Sequence, residues 1–411
     1  MKKKNFSIVI PTYNDSSKFI GDTIKSCLDQ NYDNYEIIVY QDKIINNVKK
    51  MIESFGSPKI KFFGGNKRLS ITKNWEAAIN TCKGDYIIFL GHDDAMLLHA
   101  LRDLNIIINE TNAKLIKYER LNFNIEHEIY LKIPLMRNNY QINSKKLIND
   151  VINFKKSYTS LPMMYNSVSS KDLIFKLKSI TGKIFDSKNP DIYSGFALAY
   201  LSKKILTIGR PMAINTGTAE SLGIIMNKNE ALISEKEAKR KLEYLDLFKK
   251  DGIKDHKSIP NLDIIQSKVL DAFMFAKDNL FKNDTSFNYS KKKFIKKVIR
   301  FKLKRADTDW EIFYSQICKY ISNQIFLKIW FEKEFKKKSL PVIKKKDQIY
   351  GLINYDTFLN IDPKKFNLKN SYDAAIFYEN LLNMKKKNIK IDNFTKILIT
   401  KFKTIYMILF R

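Results

Sequence analysis

Short apolar runs separated by stretches of helical periodicity fill the first half of the chain. Residues 6–10 (FSIVI), 36–40 (EIIVY), 60–63 (IKFF), 86–90 (YIIFL) and 115–118 (LIKY) are β-rich and apolar at most positions. That is the pattern of strands covered on both faces. Between them, residues 18–31, 46–55 and 72–82 place apolar side chains at helical spacing. Such alternation predicts an α/β chain with a doubly wound, mostly parallel sheet. Residues 120–160 are less regular, with an irregular pair of runs around 125–133, and 191–204 return to a helix. From about residue 231 strand signals nearly vanish, and helical patterns cover 235–250, 262–281, 289–305 and 308–338. The change puts a domain boundary near 230, dividing 1–229 from a mainly helical 230–411.

Composition supports a folded chain of more than one unit. A length of 411 residues exceeds one ordinary core. Apolar residues at 44% and aromatics at 13% exclude disorder. Cys27, Cys82 and Cys318 are odd in number and far apart, so no disulfide framework or zinc spacing is readable and a reducing cytoplasm is expected. Cys27 and Cys82 fall on helices and read as small core residues. His99, His127 and His256 lack metal-binding spacing and read as surface or capping residues. Trp75 reads as a side chain packing its helix on the sheet.

Charge changes the picture. With 73 Lys and Arg against 43 Asp and Glu the formal charge is +30, which calls for an anionic partner. Residues 1–229 carry 33 basic and 21 acidic side chains and the remainder 40 and 22, so the excess grows toward the C-terminus. The densest run, residues 289–305 (YSKKKFIKKVIRFKLKR), has nine basic residues and no acid. Its apolar positions Phe294, Ile295, Val298, Ile299 and Phe301 fall close to helical spacing. Both a solvated helix face and a surface-binding helix fit that pattern. Residues 395–411 (TKILITKFKTIYMILFR) suit a helix lying in a bilayer interface or one packed on the protein's own core. No run approaches the roughly 18 apolar residues of a spanning helix. The apolar stretch after Lys2, Lys3 and Lys4 is cut by Pro11, too short for a signal-peptide core.

In an open parallel sheet, ligands bind beyond the carboxyl ends of the strands. The residues there are Pro11, Thr12, Tyr13, Asn14 and Asp15 after the first strand, Gln41 and Asp42 after the second, and Gly91, His92, Asp93 and Asp94 after the fourth. Acids thus converge on one edge of a basic protein. Adjacent carboxylates are costly there unless a cation sits between them, and a hard divalent ion bridging two phosphates is such a partner. A turn or a helix cap is the simpler account of any one of these acids taken alone.

SIVIPTYND, SCLDQNYDNYEIIVYQD and NWEAAINTCKGDYIIFLGHDDAM, in this order and spacing, resemble the family 2 glycosyltransferases of the GT-A fold. The resemblance covers roughly residues 5–225. It implies Asp94 as ligand of a divalent metal, Mg²⁺ or Mn²⁺, on the donor's diphosphate, and Asp93 as a contact to the donor ribose or sugar. It places Asp42 at the nucleotide base, with Pro11, Thr12 and Tyr13 lining the same pocket, Asn74 against the donor and Lys73 near the diphosphate. Two departures stand out: His92 occupies a position that is commonly acidic, and Gln41-Asp42-Lys43-Ile44 replaces the usual Asp-Asp-Gly-Ser. The first makes His92 a hydrogen-bonding neighbour of the ion rather than a ligand.

Leu161-Pro162, Tyr165-Asn166-Ser167 and Asn189-Pro190-Asp191-Ile192-Tyr193-Ser194 resemble a subgroup that builds bacterial surface polysaccharides. That resemblance makes Asp191 the catalytic base, while its place at the head of a helix also fits an N-cap. A helix N-terminus favours the ionised carboxylate. Residues 211–214 and 216–221 resemble the loop closing that subgroup's donor–acceptor cleft.

The implied function is inverting transfer of a sugar from a nucleotide diphosphate to an acceptor hydroxyl. The acceptor would be a glycan or lipid-linked glycan of lipooligosaccharide, O-antigen or capsule, made at the inner face of the cytoplasmic membrane. The basic C-terminal half would dock on anionic lipid. Two rivals are an inactive scaffold of the same fold and a basic nucleic-acid-binding protein. The second lacks every recognised reading motif and leaves the strand-end acids unexplained.

Overall fold

The computed structural model describes residues 2–124, 129–218, 225, 233–303, 309–336 and 358–383. His127, part of the loop around 219–221, the end of the 289–305 run and all of 395–411 lie outside the described residues.

Four strands form the parallel half of the sheet: β1 (Phe6–Thr12), β2 (Tyr35–Gln41), β3 (Ile60–Gly64) and β4 (Tyr86–Phe89). They lie in the order β3-β2-β1-β4, every pair parallel. Three helices connect them, α1 (Ser17–Leu28), α2 (Asn46–Glu53) and α3 (Ile71–Ile79). Period-2 alternation sends successive β1 side chains to opposite faces. Phe6, Ile8 and Ile10 join the core under α1 and α2, and Val9 joins the core under α3.

Beyond β4 the sheet becomes mixed. After the short β5 (Ala95–Met96) and the helix α4 (Ala100–Thr111) comes β6 (Leu115–Asn124), which turns back as β7 (Tyr130–Pro134). The strand β8 (Tyr140–Asn143) and the helix α5 (Ser144–Ile152) lead to β9 (Ser167–Ser170), which fits antiparallel between β4 and β6. Next come the helices α6 (Lys171–Thr181) and α7 (Pro190–Ser202) and a long strand, β10 (Lys204–Gly217). β10 runs parallel to β6, with register shifts beside Pro211. Residues 211–217 are therefore strand and not the expected loop. Pro211 is accommodated because a register shift removes the need for its missing N–H.

The later helices are α8 (Glu235–Lys250), α9 (Ile265–Leu280), α10 (Lys291–Lys302), α11 (Trp310–Tyr320) and α12 (Ile325–Lys336). The single helix expected over 308–338 is thus two. Val269, Phe273, Ala276, Phe294 and Phe331 belong to the same core as Trp75, Phe89 and Phe196, so these helices thicken the α3–α7 face of the sheet. Phe273 meets Phe196 of α7 edge-on at 5.4 Å. The chain then returns to the sheet, where β11 (Phe358–Ile361) pairs antiparallel with β7 and α13 (Ser371–Asn383) packs on that edge. This strand departs from the expectation of a helical C-terminal half. Four residues are too short a run to show a period.

Several expectations about single residues are settled by packing. Trp75 is buried and packs against Phe89 of β4 with ring centroids 5.1 Å apart, as expected. Cys27 and Cys82 are buried, and burial pushes both thiols up to about 12. His99 occupies the N-cap position of α4, but it is buried and its side chain makes no cap hydrogen bond. Its Nδ1 lies 2.9 Å from Glu379 of α13, and its Nε2 lies 3.1 Å from the Pro211 carbonyl. His256 is buried too, with Nε2 3.1 Å from Asp278. Imidazoles satisfied at long range leave no signature in local spacing.

Helix α8 begins with a capping box. Ser234 Oγ accepts from the Glu237 N–H at 3.3 Å, and the Glu237 carboxylate accepts from the Ser234 N–H at 3.0 Å. Ser234→Ala is expected to cost about 1 kcal/mol in urea unfolding, and Ser234→Asp to recover most of it. An unchanged midpoint for Ser234→Ala would show that this helix start is not held by its cap.

Candidate functional site

A cavity of about 480 Å³ opens beyond the carboxyl ends of β1 and β4. Its floor is the turn after β4. A Cβ on Gly91 would meet Asp94 Oδ2 at 2.8 Å, so glycine lets the Asp94 carboxylate fold back over the turn. That carboxylate accepts from the Gly91 N–H at 3.1 Å and the Thr216 N–H at 2.8 Å. Thr218 Oγ1 donates to Asp93 at 3.0 Å. Burial, and then the neighbouring charge of Asp93, raise the Asp94 carboxyl to about 6; the Arg120 guanidinium opposes them.

The β1 end supplies Pro11 and Tyr13. Arg68 and Arg240 place their guanidiniums over the Tyr13 ring at 5.7 and 5.5 Å, and Arg240 donates to the Tyr13 hydroxyl at 2.9 Å. His92 stands edge-on to the same ring at 5.5 Å. Asn74 of α3 lines the cavity and donates Nδ2 to the Thr12 carbonyl at 3.1 Å. Its Oδ1 is buried and has no hydrogen-bond partner among the described residues.

Three expected residues do not line the cavity. Thr12 is buried beneath it, its hydroxyl donating to Ser16 at 2.6 Å. Asp42 is fully buried, paired with Arg68 at 3.1 Å and accepting from the Leu69 N–H at 3.1 Å. It holds in place an arginine that does reach the cavity. Lys73 is exposed on α3, because one residue along a helix turns a side chain by about 100° away from its neighbour Asn74.

The opposite wall is the start of α7. Its N-cap is Asn189 and its first residue Pro190, so Asp191 sits inside the first turn and is not the cap. Burial pushes the Asp191 carboxyl above its ordinary range, against the backbone N–H groups of Ile192 and Asp191 itself and the charge of Arg120. Desolvation thus outweighs the helix terminus that was expected to keep its proton affinity low.

Further residues complete the enclosure. Arg120 lines the cavity and acts electrostatically on both Asp94 and Asp191. Tyr158, Tyr165 and Tyr244 also feel the Asp191 charge. Lys188, Lys268 and Asp271 close the far side. The strand-end rule applied to the fifth predicted strand, residues 115–118, would have pointed to Arg120. Tyr244, Lys268 and Asp271 come from 27 or more residues beyond the end of β10, with no local signal.

No three His, Cys, Asp or Glu side chains converge as a closed metal site among the described residues. Two adjacent carboxylates beside a cavity are nevertheless a fitting donor set for a divalent ion completed by phosphate oxygens, as Mg²⁺ prefers. The mutual charge that raises Asp94 is what such an ion would offset.

Residues 7–170 match the model of glycosyl transferase family 2. An uncharacterized glycosyltransferase of Rickettsia typhi is 30% identical over 135 residues, 32% of this chain and 41% of that protein. The amylovoran biosynthesis glycosyltransferase AmsB of Erwinia amylovora is 38% identical over 100 residues, 23% of this chain and 32% of that one. The chain therefore spans less than half the length of these relatives. Among solved structures, S. aureus TarS 1–349 in complex with UDP-GlcNAc aligns at 15% identity and a TM-score of 0.47, covering 81% of this chain and 91% of that one. The matched segment holds the whole parallel half of the sheet and the acids at the β4 end. Through residues 7–170, about two fifths of its length, the chain is similar to glycosyl transferase family 2.

Proposed function

We propose that the protein is an inverting glycosyltransferase that moves a sugar from a nucleoside-diphosphate donor to a hydroxyl of a bacterial surface glycan. One observation carries the reading: a single cavity is lined by Asp93 and Asp94 from the β4 end and by Asp191 from the start of α7. The family 2 match over residues 7–170 supports the donor class, and the relative named for amylovoran biosynthesis supports the glycan class.

In this mechanism Asp191 is the base. Its raised proton affinity makes it a better acceptor of the hydroxyl proton than an exposed carboxylate. The freed oxygen attacks the anomeric carbon in line, the bond from that carbon to the diphosphate oxygen breaks, and its electron pair leaves with the diphosphate. Arg68, Arg120, Lys188 and Lys268 line the cavity and meet the charge of the leaving group. Asp94, with Asp93 beside it, would hold Mg²⁺ or Mn²⁺, which when bound offsets negative charge on the diphosphate. Tyr13, braced by Arg68 and Arg240, offers a face for the nucleotide, and Asn74 and His92 hydrogen-bond the donor. Asp42 acts by positioning Arg68. Residues 1–229 would supply the three acids, and 230–411 a basic helical region that closes the cavity with Arg240, Tyr244 and Lys268. The enzyme would work in the cytoplasm, peripherally on the inner face of the membrane, where a lipid-linked acceptor is presented.

Thermal unfolding against a panel of nucleotide sugars, with and without Mn²⁺, tests this. One donor class should raise stability in the presence of the ion, by about 2.7 kcal/mol at a hundredfold excess over Kd. If no nucleotide sugar shifts the transition with Mg²⁺ or Mn²⁺ present, the donor reading is lost.

A further inference from the structure

The sequence left open whether the basic run at 289–305 turns its apolar stripe toward a membrane. Packing answers that part. Phe294, Ile295, Val298 and Ile299 of α10 are buried in the protein's own core. The opposite face keeps Lys292, Lys293, Lys296, Lys297 and Arg300 exposed, and none of these is paired with a carboxylate among the described residues.

A second apolar stripe lies beside this basic face. In α12, Phe331 points inward and stacks on Tyr314 at 5.4 Å. On the far side of that helix Ile325, Phe326 and Ile329 are 67%, 86% and 58% exposed. At about 100° per residue these three share one face opposite Phe331. Lys292 and Lys296 lie over the Trp330 ring at 5.0 and 5.6 Å, so α10 and α12 meet there. Exposed apolar side chains on the rim of an unpaired basic face carry a ligand requirement of two parts: apolar depth and negative charge. A soluble anion supplies only the second.

We propose that the joined surfaces of α10 and α12 dock the protein on an anionic lipid bilayer. Phe326 and Ile329 enter the acyl boundary, and Lys292, Lys293, Lys296, Lys297 and Arg300 face the headgroups. This rests on the peripheral-membrane reading above and assigns that reading a surface. Helix insertion is shallow, since among the described residues no helix is long and apolar enough to cross a membrane.

Cosedimentation of the full chain with vesicles tests it, comparing phosphatidylglycerol-containing vesicles with pure phosphatidylcholine. The protein should bind the anionic vesicles and release with salt. Lys293→Glu with Lys297→Glu should weaken binding about thirtyfold, and Phe326→Ser with Ile329→Ser about tenfold or more. Thermal unfolding should be nearly unchanged in both, because the altered side chains are exposed. Binding that persists at full strength in both variants overturns this surface and leaves the membrane reading standing. If the intact protein ignores anionic vesicles at low salt, both fall. Self-association that Phe326→Ser with Ile329→Ser abolishes, without lipid binding, makes a second copy the occupant and overturns the proposal.

Discussion

Asp191→Asn is expected to keep donor binding within about twofold and to lower turnover by about 10²–10⁴. Asparagine preserves the shape of the α7 start and its backbone hydrogen bonds, but it accepts no proton at working pH. The wild-type pH profile gives an independent check. Burial raises the Asp191 proton affinity above the ordinary 3.8, and a base in the proposed role would act as the carboxylate. Activity should therefore fall as pH drops through a value above 3.8, earlier than for an exposed aspartate. The part of that limb set by Asp191 should vanish from the residual rate of the variant, leaving the part set by Asp94. A variant that lost donor affinity yet turned over bound donor normally would make Asp191 a donor contact and leave the base unassigned.

Asp94→Asn separates binding of the ion from stability of the fold, with effects of opposite sign. A carboxyl raised from 3.8 to about 6 is harder to ionise in the folded state than in the unfolded chain. Its ionised form therefore costs stability at neutral pH, and the cost disappears as pH falls toward 3.8. Asparagine removes that cost but gives up one of the two acceptors facing the Gly91 and Thr216 N–H groups, a loss of about 1–3 kcal/mol. Without metal the variant should be as stable as the parent or slightly more so at neutral pH. In Mn²⁺ and nucleoside diphosphate it should lose the ligand-dependent stabilisation and fall by about 10² or more in kcat/KM. Denaturation with and without Mn²⁺ reads both effects. Metal-dependent stabilisation equal to that of the parent would remove Asp94 from ion binding. His92→Ala should do less, since His92 contacts the Tyr13 ring and lies beside the pair of carboxylates.

The legible part of this protein is the part written at short range. Runs such as FSIVI and YIIFL announce β1 and β4 because a strand buried on both faces needs apolar residues without interruption. Gly91, His92, Asp93 and Asp94 follow β4 after one residue, so the strand-end rule finds the acidic floor of the cavity without any knowledge of its walls. The chain beyond Gly217 is different in kind. The pattern of α10 declares an apolar stripe and a basic face, and a period of 3.6 is identical whether the stripe meets a core or a membrane. Only the approach of α9 and α11 turns Phe294 and Val298 inward and leaves Phe326 outside. The same limit hides the walls of the site. Arg240 reaches Tyr13 across 227 residues, and His99 finds Glu379 across 280. Such partners are chosen by how finished elements pack, when desolvation makes an unpaired guanidinium or imidazole costly enough to select its neighbour. Local periodicity carries the elements and the turn that bears the acids. Which groups close over that turn depends on contacts that exist only once the sheet and the later helices are packed together.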